Sequence, residues 1–314
     1  MRVSFIIPLF NCLELTRSMF ESLQATVPRD LEHEIIFVDD GSTDGTREWL
    51  AQIQTPNVRT LLNEQNLGYA ATNNRAAAAA EGDFLVLLNN DVVLSTGWLE
   101  AMLAVHASIP KPGAIGNIQL NAKTGALDHA GIYVTAKGKP EHDVTPSPCS
   151  RCAGACGCYR FSPAVTAACL LISRDLWNQL GGFDERFKNG GEDVDLCFRA
   201  RAKGFSNAVA LSSVIRHHIS SSPGRKENDE RNSYLLTLRW EKELIELGAR
   251  AWCKHHVRHT LYQSALSLPE ILAYLWNLRR EPPKTALRGV KRNIDHSLGI
   301  WTKAFGQLQM PKNS

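Results

Sequence analysis

The chain has 314 residues, of which 44% are hydrophobic and 21% charged, and its formal net charge at pH 7 is +3. These values are ordinary for a soluble globular protein and allow one large domain with an appendage. No apolar run approaches the roughly 18–20 residues that a membrane-spanning helix needs. The first ten residues, MRVSFIIPLF, are predicted to form a strand and not a signal peptide. We therefore expect a cytoplasmic protein.

Strand-like and helix-like segments alternate through the first hundred residues. The apolar runs predicted as strands are residues 3–9, 34–38, 58–62 and 84–88. Helices are predicted at 13–25, after the capping residues of GSTDGT, at 69–80 and at 96–107. This alternation predicts an α/β protein with a mostly parallel sheet and helices on its faces.

Polar side chains follow each of these four strands. They are Asn11 after the first, DDGS after the second, NEQNLG after the third and NND after the fourth. In parallel sheets, ligands bind outside the carboxyl ends of the strands. Asp40 is placed to accept hydrogen bonds from a nucleobase or a ribose, although an N-cap and turn would also explain it. Asp91 is the natural oxygen ligand for Mg²⁺ or Mn²⁺.

A third acidic group opens a helix in the second half of the chain, in GGEDVDLCFRARAKGF. Carboxylates at a helix N-terminus are favoured by the helix dipole, which is sufficient structural reason for them. Asp193 is nevertheless placed to act as a general base, because the preceding glycines allow a ligand to come close. We expect Asp195 to face away, and Arg199 and Arg201 to form a solvated helix face.

Seven stretches occur together in the order of a known family. They are VSFIIPLFN, VDDGSTDGT, NLGYAATNN, LLNNDV, TAACLLISRDLWNQLGGFDERF, GEDVDLCFRARAKGF and VIRHH. Over roughly residues 3–220 the chain resembles glycosyltransferase family 2, and most closely its bacterial rhamnosyltransferase-like branch. The resemblance implies the GT-A fold, a Rossmann-like nucleotide-diphosphosugar transferase. It also implies a nucleotide-sugar donor, a Mn²⁺ or Mg²⁺ cofactor and inversion at the anomeric carbon.

The resemblance assigns roles to individual positions. Asp193 would be the catalytic base, and Asp91 with His217 of VIRHH would bind the metal. The remaining matched positions would bind the donor, and they are Pro8, Phe10, Asp40, Gly68, Asn74, Asn89 and Asn90. The first position of the acidic motif is Asn89 where an aspartate is common, which weakens a direct metal role for that residue.

The function expected from these residues is transfer of a hexosyl or rhamnosyl group to an acceptor hydroxyl. A glycan or lipid-linked acceptor in cell-surface polysaccharide assembly is implied at the level of the family. A nucleotidyltransferase is disfavoured because PLFNCLEL, after the first strand, has no basic phosphate loop. A non-catalytic nucleotide-sugar-binding module would be signalled by loss of the base or the metal aspartate, and both are present.

Four cysteines lie close together in CSRCAGACGC, at positions 149, 152, 156 and 158. Cys149, Cys152, Cys156 and Cys158 would hold one structural Zn²⁺, or they would remain free or redox-labile thiols. Disulfides are less favoured in the expected compartment. The tight C-x2-C-x3-C-x-C spacing is unusual for zinc, and the family resemblance does not predict it.

The C-terminal region differs chemically from the rest, because residues 251–314 carry 10 Lys and Arg against 3 Asp and Glu. We expect a catalytic domain at 1–222, with a nucleotide-binding half at 1–112 and an acceptor-side half at 113–222 that includes the cysteine-rich loop 149–158. A helical, basic region follows at 223–314. Its helices either pack on the catalytic domain, the favoured interpretation, or touch the inner face of the membrane peripherally. No nucleic-acid recognition motif is present.

Overall fold

The computed structural model describes residues 1–145, 158–218, 228–262, 271–272, 275–276 and 281–306. Two compact units are distinguished within the chain. The first comprises residues 1–132 and 142–227, and the second comprises 133–141 and 228–314. The domain boundary expected at residue 222 lies outside the described residues.

Twelve strands and eight helices are used below, all within the described part of the chain. The strands are β1 Arg2–Leu9, β2 Glu32–Asp39, β3 Val58–Leu62, β4 Phe84–Leu88, β5 Val92–Val93, β6 Pro112–Asn121, β7 Leu127–His129, β8 Ile132–Val134, β9 Pro140–His142, β10 Tyr159–Phe161, β11 Cys169–Ser173 and β12 Ser206–His217. The helices are α1 Leu13–Thr26, α2 Thr46–Leu50, α3 Tyr69–Ala79, α4 Trp98–Ser108, α5 Arg174–Leu180, α6 Glu192–Ala202, α7 Asp229–Tyr262 and α8 Lys284–Phe305.

The first unit is built on one twisted sheet, in which the described strands follow the order β10-β12-β6-β11-β4-β1-β2-β3. Strands β1 to β4 are parallel to one another, and β12 runs parallel to β6. Strand β11 is inserted antiparallel between β4 and β6. The predicted α/β architecture with a mostly parallel central sheet is therefore confirmed.

The sheet forms where the sequence has runs of β-branched and other apolar residues. Strands β1, β2 and β4 are almost entirely buried, as expected for parallel strands that are covered on both faces. On one face, Trp98 and Met102 of α4 pack with Phe5 and Phe37 of the strands in the main core cluster. Burial of such large side chains contributes about 1.5–3 kcal/mol each.

Two strand pairings bring distant segments to the carboxyl ends of the parallel strands. The antiparallel pairing of β11 with β4 places Cys169 opposite Leu88, so the residues before β11 lie beside the NND motif. The short strand β5 pairs with the end of β12, which places His217 opposite Val92. Residues from three separate parts of the chain therefore meet at one edge of the sheet.

The second unit combines two long helices with the turn between β8 and β9. Helices α7 and α8 pack together, and Ala286, Val290 and Ile294 form the buried stripe of α8. Gly138 is required in this unit, because a Cβ there would lie 2.6 Å from Ile294 Cδ1. A helical C-terminal appendage was predicted, and these helices confirm it. No helix within the described residues is both long and apolar enough to cross a bilayer.

Candidate active site

A cavity of about 230 Å³ opens at the carboxyl ends of the parallel strands. Residues from three of the four polar clusters after the strands, and from the acidic start of α6, line it, whereas Asn11 does not. The lining residues are Pro8, Leu9, Phe10, Asp40, Asn66, Gly68, Tyr69, Thr72, Asn89, Asn90, Asp91, Thr166, Ala167, Ala168, Asn189, Gly190, Glu192 and Asp193. The lining contains four carboxylates, and none of its described residues is Lys, Arg or His.

The carboxylate of Asp91 lies against His217. Asp91 Oδ1 is 3.1 Å from His217 Nε2, and both side chains are buried. The pairing of β5 with β12 and a hydrogen bond from the His218 amide to the Asp91 carbonyl, at 2.9 Å, hold this contact in place. The structure thus brings together the two predicted metal ligands, although His217 does not itself line the cavity.

Asp91 and His217 fit a divalent cation that has further ligands outside the protein. Among the described residues, Asp91 Oδ1 and both ring nitrogens of His217 are buried without a hydrogen-bond partner, which is costly unless another group satisfies them. Their 3.1 Å separation is close to the distance of about 3 Å between adjacent ligands of an octahedral ion with bonds of about 2.1 Å. No group of three or more His, Cys, Asp or Glu in the described ranges could hold a metal alone. A Mg²⁺ or Mn²⁺ ion commonly completes its shell with substrate phosphates and water.

The three residues of NND have different surroundings. Asn90 Nδ2 donates to the Asn11 carbonyl at 3.1 Å and to Thr16 Oγ1 at 3.0 Å, so it ties the end of β4 to the start of α1. Asn89 Oδ1 accepts from the Tyr69 hydroxyl at 3.0 Å. Only Asp91 carries a buried oxygen without a partner among the residues described in this motif.

Asp40 lines the cavity and also orders one of its walls. Its Oδ1 accepts from Asn63 Nδ2 at 2.7 Å and from the Leu67 amide at 2.9 Å, and its Oδ2 accepts from the Gly68 amide at 3.0 Å. Gly68 has a φ of 88°, which a glycine adopts without strain. Asp40 and Gly68 are therefore linked directly, and Oδ2 retains acceptor capacity toward the cavity.

Asp39 has a different environment from its neighbour. It is fully buried, and its Oδ2 accepts from Arg47 Nε at 2.6 Å and from the Gly41 and Ser42 amides. The Asp39–Arg47 pair stabilises the turn into α2, and neither residue lines the cavity. Pro8 and Phe10, at the end of β1, do line the cavity, and the Phe10 side chain is 43% exposed. An exposed aromatic ring at this mouth offers a surface against which a planar base can pack.

Asp193 lies in the first turn of α6 and lines the cavity. Its Oδ2 accepts from the Ala167 amide at 3.2 Å and its Oδ1 from the Val194 amide at 2.8 Å. The preceding Asn189, Gly190 and Gly191 all have positive φ, so the chain turns sharply just before the helix. The carboxylate of Asp193 is therefore oriented at the cavity by two backbone amides.

Asn74 does not line the cavity. Its Nδ2 donates to the Phe183 carbonyl and to Glu185 Oε1, both at 2.9 Å, and its Oδ1 accepts from the Phe183 amide at 2.8 Å. All three bonds hold the loop between α5 and α6. Asn74 thus supports the loop that leads to α6, and its donor-binding role stays a prediction.

Arg199 is not solvated, and that expectation is wrong. Its side chain is 13% exposed, and its Nε donates at 2.8 Å to Oδ2 of the fully buried Asp195. Its two terminal nitrogens donate to the carbonyls of Leu180 and Gly182 at 2.6 and 2.8 Å. Helical spacing alone suggested a polar face, whereas the adjacent end of α5 supplies acceptors that bury this arginine.

Of the four clustered cysteines, Cys149, Cys152 and Cys156 lie outside the described residues. The zinc site proposed for them together with Cys158 stays a prediction. Cys169 and Cys197 are buried in the sheet and in α6, as small hydrophobic side chains would be.

The lining residues to which sequence analysis assigned no role include Tyr69, Asn189 and Glu192. Tyr69 begins α3, where an aromatic residue is most simply expected to pack in the core. Glu192 was interpreted as part of the acidic helix start, and its Oε2 accepts from the Gly190 amide at 2.7 Å. Asn189 gave one usable signal, because Asn before Gly-Gly is favoured in the left-handed region that it occupies, with φ of 53°.

Sequence comparisons agree with this geometry. The model of the family "Glycosyl transferase family 2" matches residues 4–165. The chain is 32% identical over 85% of its length to protein y4gI of Sinorhizobium fredii, and 34% identical over 70% to the O-antigen biosynthesis protein RfbC of Myxococcus xanthus. It spans only 29% and 18% of the lengths of these two relatives. It is also 30% identical, over 78% of its length and 85% of the relative's, to the N-acetylglucosaminyl-diphospho-decaprenol L-rhamnosyltransferase of Mycobacterium tuberculosis.

Solved structures show the same fold. GalNAc-T7 with UDP, GalNAc and Mn²⁺ superposes with a TM-score of 0.61 at 14% identity, over 97% of this chain and 58% of the other. S. aureus TarS 1-349 in complex with UDP-GlcNAc gives 0.58 at 16% identity, over 100% and 97%. The fold is thus the GT-A fold of nucleotide-sugar transferases. The chain belongs to glycosyltransferase family 2, in its bacterial rhamnosyltransferase-like branch.

Proposed function

We propose that the protein is an inverting, metal-dependent glycosyltransferase that uses a nucleoside-diphosphate sugar. The carrying observation is the charge of the cavity, which is lined by four carboxylates and by no Lys, Arg or His in the described residues. A donor diphosphate is itself an anion, and such a cavity would repel it. A divalent cation held by Asp91 and His217 would remove this repulsion and stabilise the charge that develops on the leaving diphosphate.

The remaining roles follow from where the side chains lie. The base and ribose of the donor would occupy the end of the cavity formed by Pro8, Phe10 and Asp40. Asp193, in the first turn of α6, would take the proton from the acceptor hydroxyl as that oxygen bonds to the anomeric carbon. The bond from that carbon to the diphosphate oxygen breaks at the same time, on the opposite face of the sugar. Inversion follows from this single displacement.

The acceptor is proposed to be a glycan or a lipid-linked glycan of cell-surface polysaccharide assembly. Support comes from the similarity to the O-antigen biosynthesis protein RfbC and to the decaprenol-linked rhamnosyltransferase. A rhamnosyl or hexosyl donor is consistent with the same relatives. To reach a lipid-linked acceptor, the enzyme would have to act at a membrane surface. The excess of basic residues in 251–314 would favour binding to an anionic membrane surface.

In this proposal, residues 1–222 carry out catalysis and the basic region 223–314 contacts the membrane surface peripherally.

A nucleotidyltransferase is the competing enzyme class. It is not favoured, because the loop after β1 supplies no basic side chain to the cavity lining in the described residues. A binding module without activity would need neither Asp193 nor the Asp91–His217 pair.

The test is turnover of several nucleotide-sugars with Mn²⁺, with EDTA, and with Mn²⁺ restored. We expect slow donor hydrolysis that requires the cation, because water can replace the acceptor at the anomeric carbon. Asp91→Asn should abolish cation-dependent turnover and leave the melting temperature unchanged, whereas Asp83→Asn, at an exposed position outside the cavity, should change neither. Turnover that is insensitive to EDTA would overturn the metal role. Formation of nucleotide-sugar from a nucleoside triphosphate and a sugar phosphate would favour the competing class.

A further inference from the structure

Tyr69 lines the cavity, and none of the roles assigned so far involves it. It begins α3 and contacts three separate segments of the chain. We propose that Tyr69 is a positioning residue for sugar transfer, whose hydroxyl sets the placement of the metal motif relative to the catalytic base. This inference rests on the proposed function, because it takes Asp91 and Asp193 as the metal ligand and the base.

The first contact reaches the metal motif. The Tyr69 hydroxyl lies 3.0 Å from Asn89 Oδ1, and Asn89 is two residues before Asp91. The Asn89 amide donates at 3.0 Å to the carbonyl of Ala168, at the start of β11. The side chain and the backbone of Asn89 are therefore both fixed against neighbouring segments, which limits how far the chain leading to Asp91 can move.

The second contact reaches the catalytic base through one peptide group. The Tyr69 hydroxyl also lies 3.0 Å from the carbonyl oxygen of Ala167. The amide of the same residue donates at 3.2 Å to Asp193 Oδ2. A shift of the Ala167 main chain would therefore move the donor that orients the carboxylate of the base.

The tyrosine is itself held on two further sides. Its backbone amide donates to Asn189 Oδ1 at 3.3 Å, and Asn189 belongs to the sharp turn before α6. Its ring is tilted against the ring of Phe183, with centroids 6.1 Å apart. The Tyr69 ring is thus held in place on two sides. The two contacts of its hydroxyl therefore fix the distance between Asn89 and Ala167.

The hydroxyl remains a donor at any pH at which the enzyme would work. Burial raises the pKa of Tyr69 well above its ordinary value, and the nearby carboxylates of Glu192, Asp193 and Asp91 raise it further. It has one proton and two acceptors at equal distance, Asn89 Oδ1 and the Ala167 carbonyl. The proton can be shared between them, which couples the two segments directly.

The experiment compares Tyr69→Phe with Tyr234→Phe in the full chain. Tyr234 is a matched control, because its hydroxyl also lies near one side-chain oxygen and one carbonyl, of Thr302 and Gly306, but in the second unit. For Tyr69→Phe we expect kcat to fall about 10- to 100-fold, as when supporting groups around a metal site are removed. The KM for the donor should stay within about twofold, because no substrate contact is lost. Tyr234→Phe should leave both constants unchanged.

A double-mutant cycle with Asn89→Ala separates positioning from a general structural effect. If Tyr69 acts through Asn89, the double variant should lose less activity than the product of the two single losses. Independent, multiplicative losses, or a wild-type kcat in Tyr69→Phe, would overturn the proposal. So would a rise in donor KM at constant kcat, which would make Tyr69 a substrate contact. Wild-type turnover is measured first, and its absence would overturn the proposed function itself.

Discussion

Two carboxylates on the first turn of α6 have opposite environments although they are two residues apart. Asp193 lines the cavity and accepts hydrogen bonds from two backbone amides. Asp195 is fully buried and accepts from the guanidinium of Arg199, which also binds two carbonyls at the end of α5. The first is open to a ligand in the cavity, and the second joins two helices.

The same division appears at the end of β2. Asp39 is paired with Arg47 inside the protein, whereas Asp40 reaches the cavity. In both places one acid is paired with an arginine, and another acid close by in the sequence lines the cavity. Charge pairing with an arginine therefore distinguishes supporting carboxylates from those available for chemistry.

The largest effect is expected from Asp193→Asn. The variant should lose about 10²–10⁴-fold in sugar transfer, because an amide cannot act as a general base. Donor binding in the presence of Mn²⁺, measured by calorimetry, should be retained. Since asparagine also accepts the Ala167 amide bond, the melting temperature should not change.

The distinction between Asp193 and Asp195 would fail if Asp193→Asn lost donor affinity together with turnover. That result would place Asp193 in the donor site and leave the base unassigned. The matched variant is Asp195→Asn, which should instead lower the free energy of unfolding, because it removes the charge that Arg199 faces.

Arg199→Met is expected to lower the free energy of unfolding, as Asp195→Asn does, because it breaks the same ion pair. The change removes the guanidinium that pairs with the buried carboxylate of Asp195, which costs about 3–5 kcal/mol in the free energy of unfolding. Chemical denaturation of the full chain would measure it. Arg17→Met is the surface counterpart, because Arg17 pairs with Glu14 at an exposed helix position, and its expected cost is at most about 1 kcal/mol.

Equal effects of the two arginine substitutions would show that the Asp195–Arg199 pair does not bear on stability. The difference between supporting and cavity carboxylates would then be one of exposure alone.

The smallest effect concerns Glu34, a supporting carboxylate far from the cavity lining. Burial would raise its pKa, but hydrogen bonds from Ser4, the Glu81 amide and Arg59 outweigh it and lower the pKa below the ordinary value. Ionised Glu34 therefore adds stability above the unfolded-state pKa of about 4.3, and this stability is lost as pH falls through the lower folded-state pKa. Glu34→Gln should cost about 1–3 kcal/mol at pH 7 and weaken the acid dependence of unfolding. Unfolding curves measured from pH 7 to pH 3 with an unchanged acid slope would contradict this.

Local pattern was a good guide to the elements and a poor one to side-chain partners. Strands 58–62 and 84–88 were predicted at their observed limits, because short apolar runs bounded by polar turns have few alternatives. Arg199 was misjudged because two of its acceptors, the Leu180 and Gly182 carbonyls at the end of α5, are brought to it only by the fold. Helical periodicity shows which face is polar, but not what lies opposite that face.

The sequence by itself determined the alternation of strands and helices, the parallel sheet and the ring of polar residues at its carboxyl edge. These follow from apolar periodicity and from the meeting of parallel strand ends at one edge. Only the tertiary structure decided which acids face the cavity and which are paired. The antiparallel insertion of β11 beside β4 and the pairing of β5 with β12 place Ala167 against Asp193 and His217 against Asp91. Contacts between segments so far apart in the chain depend on strand order and register, which no local pattern specifies.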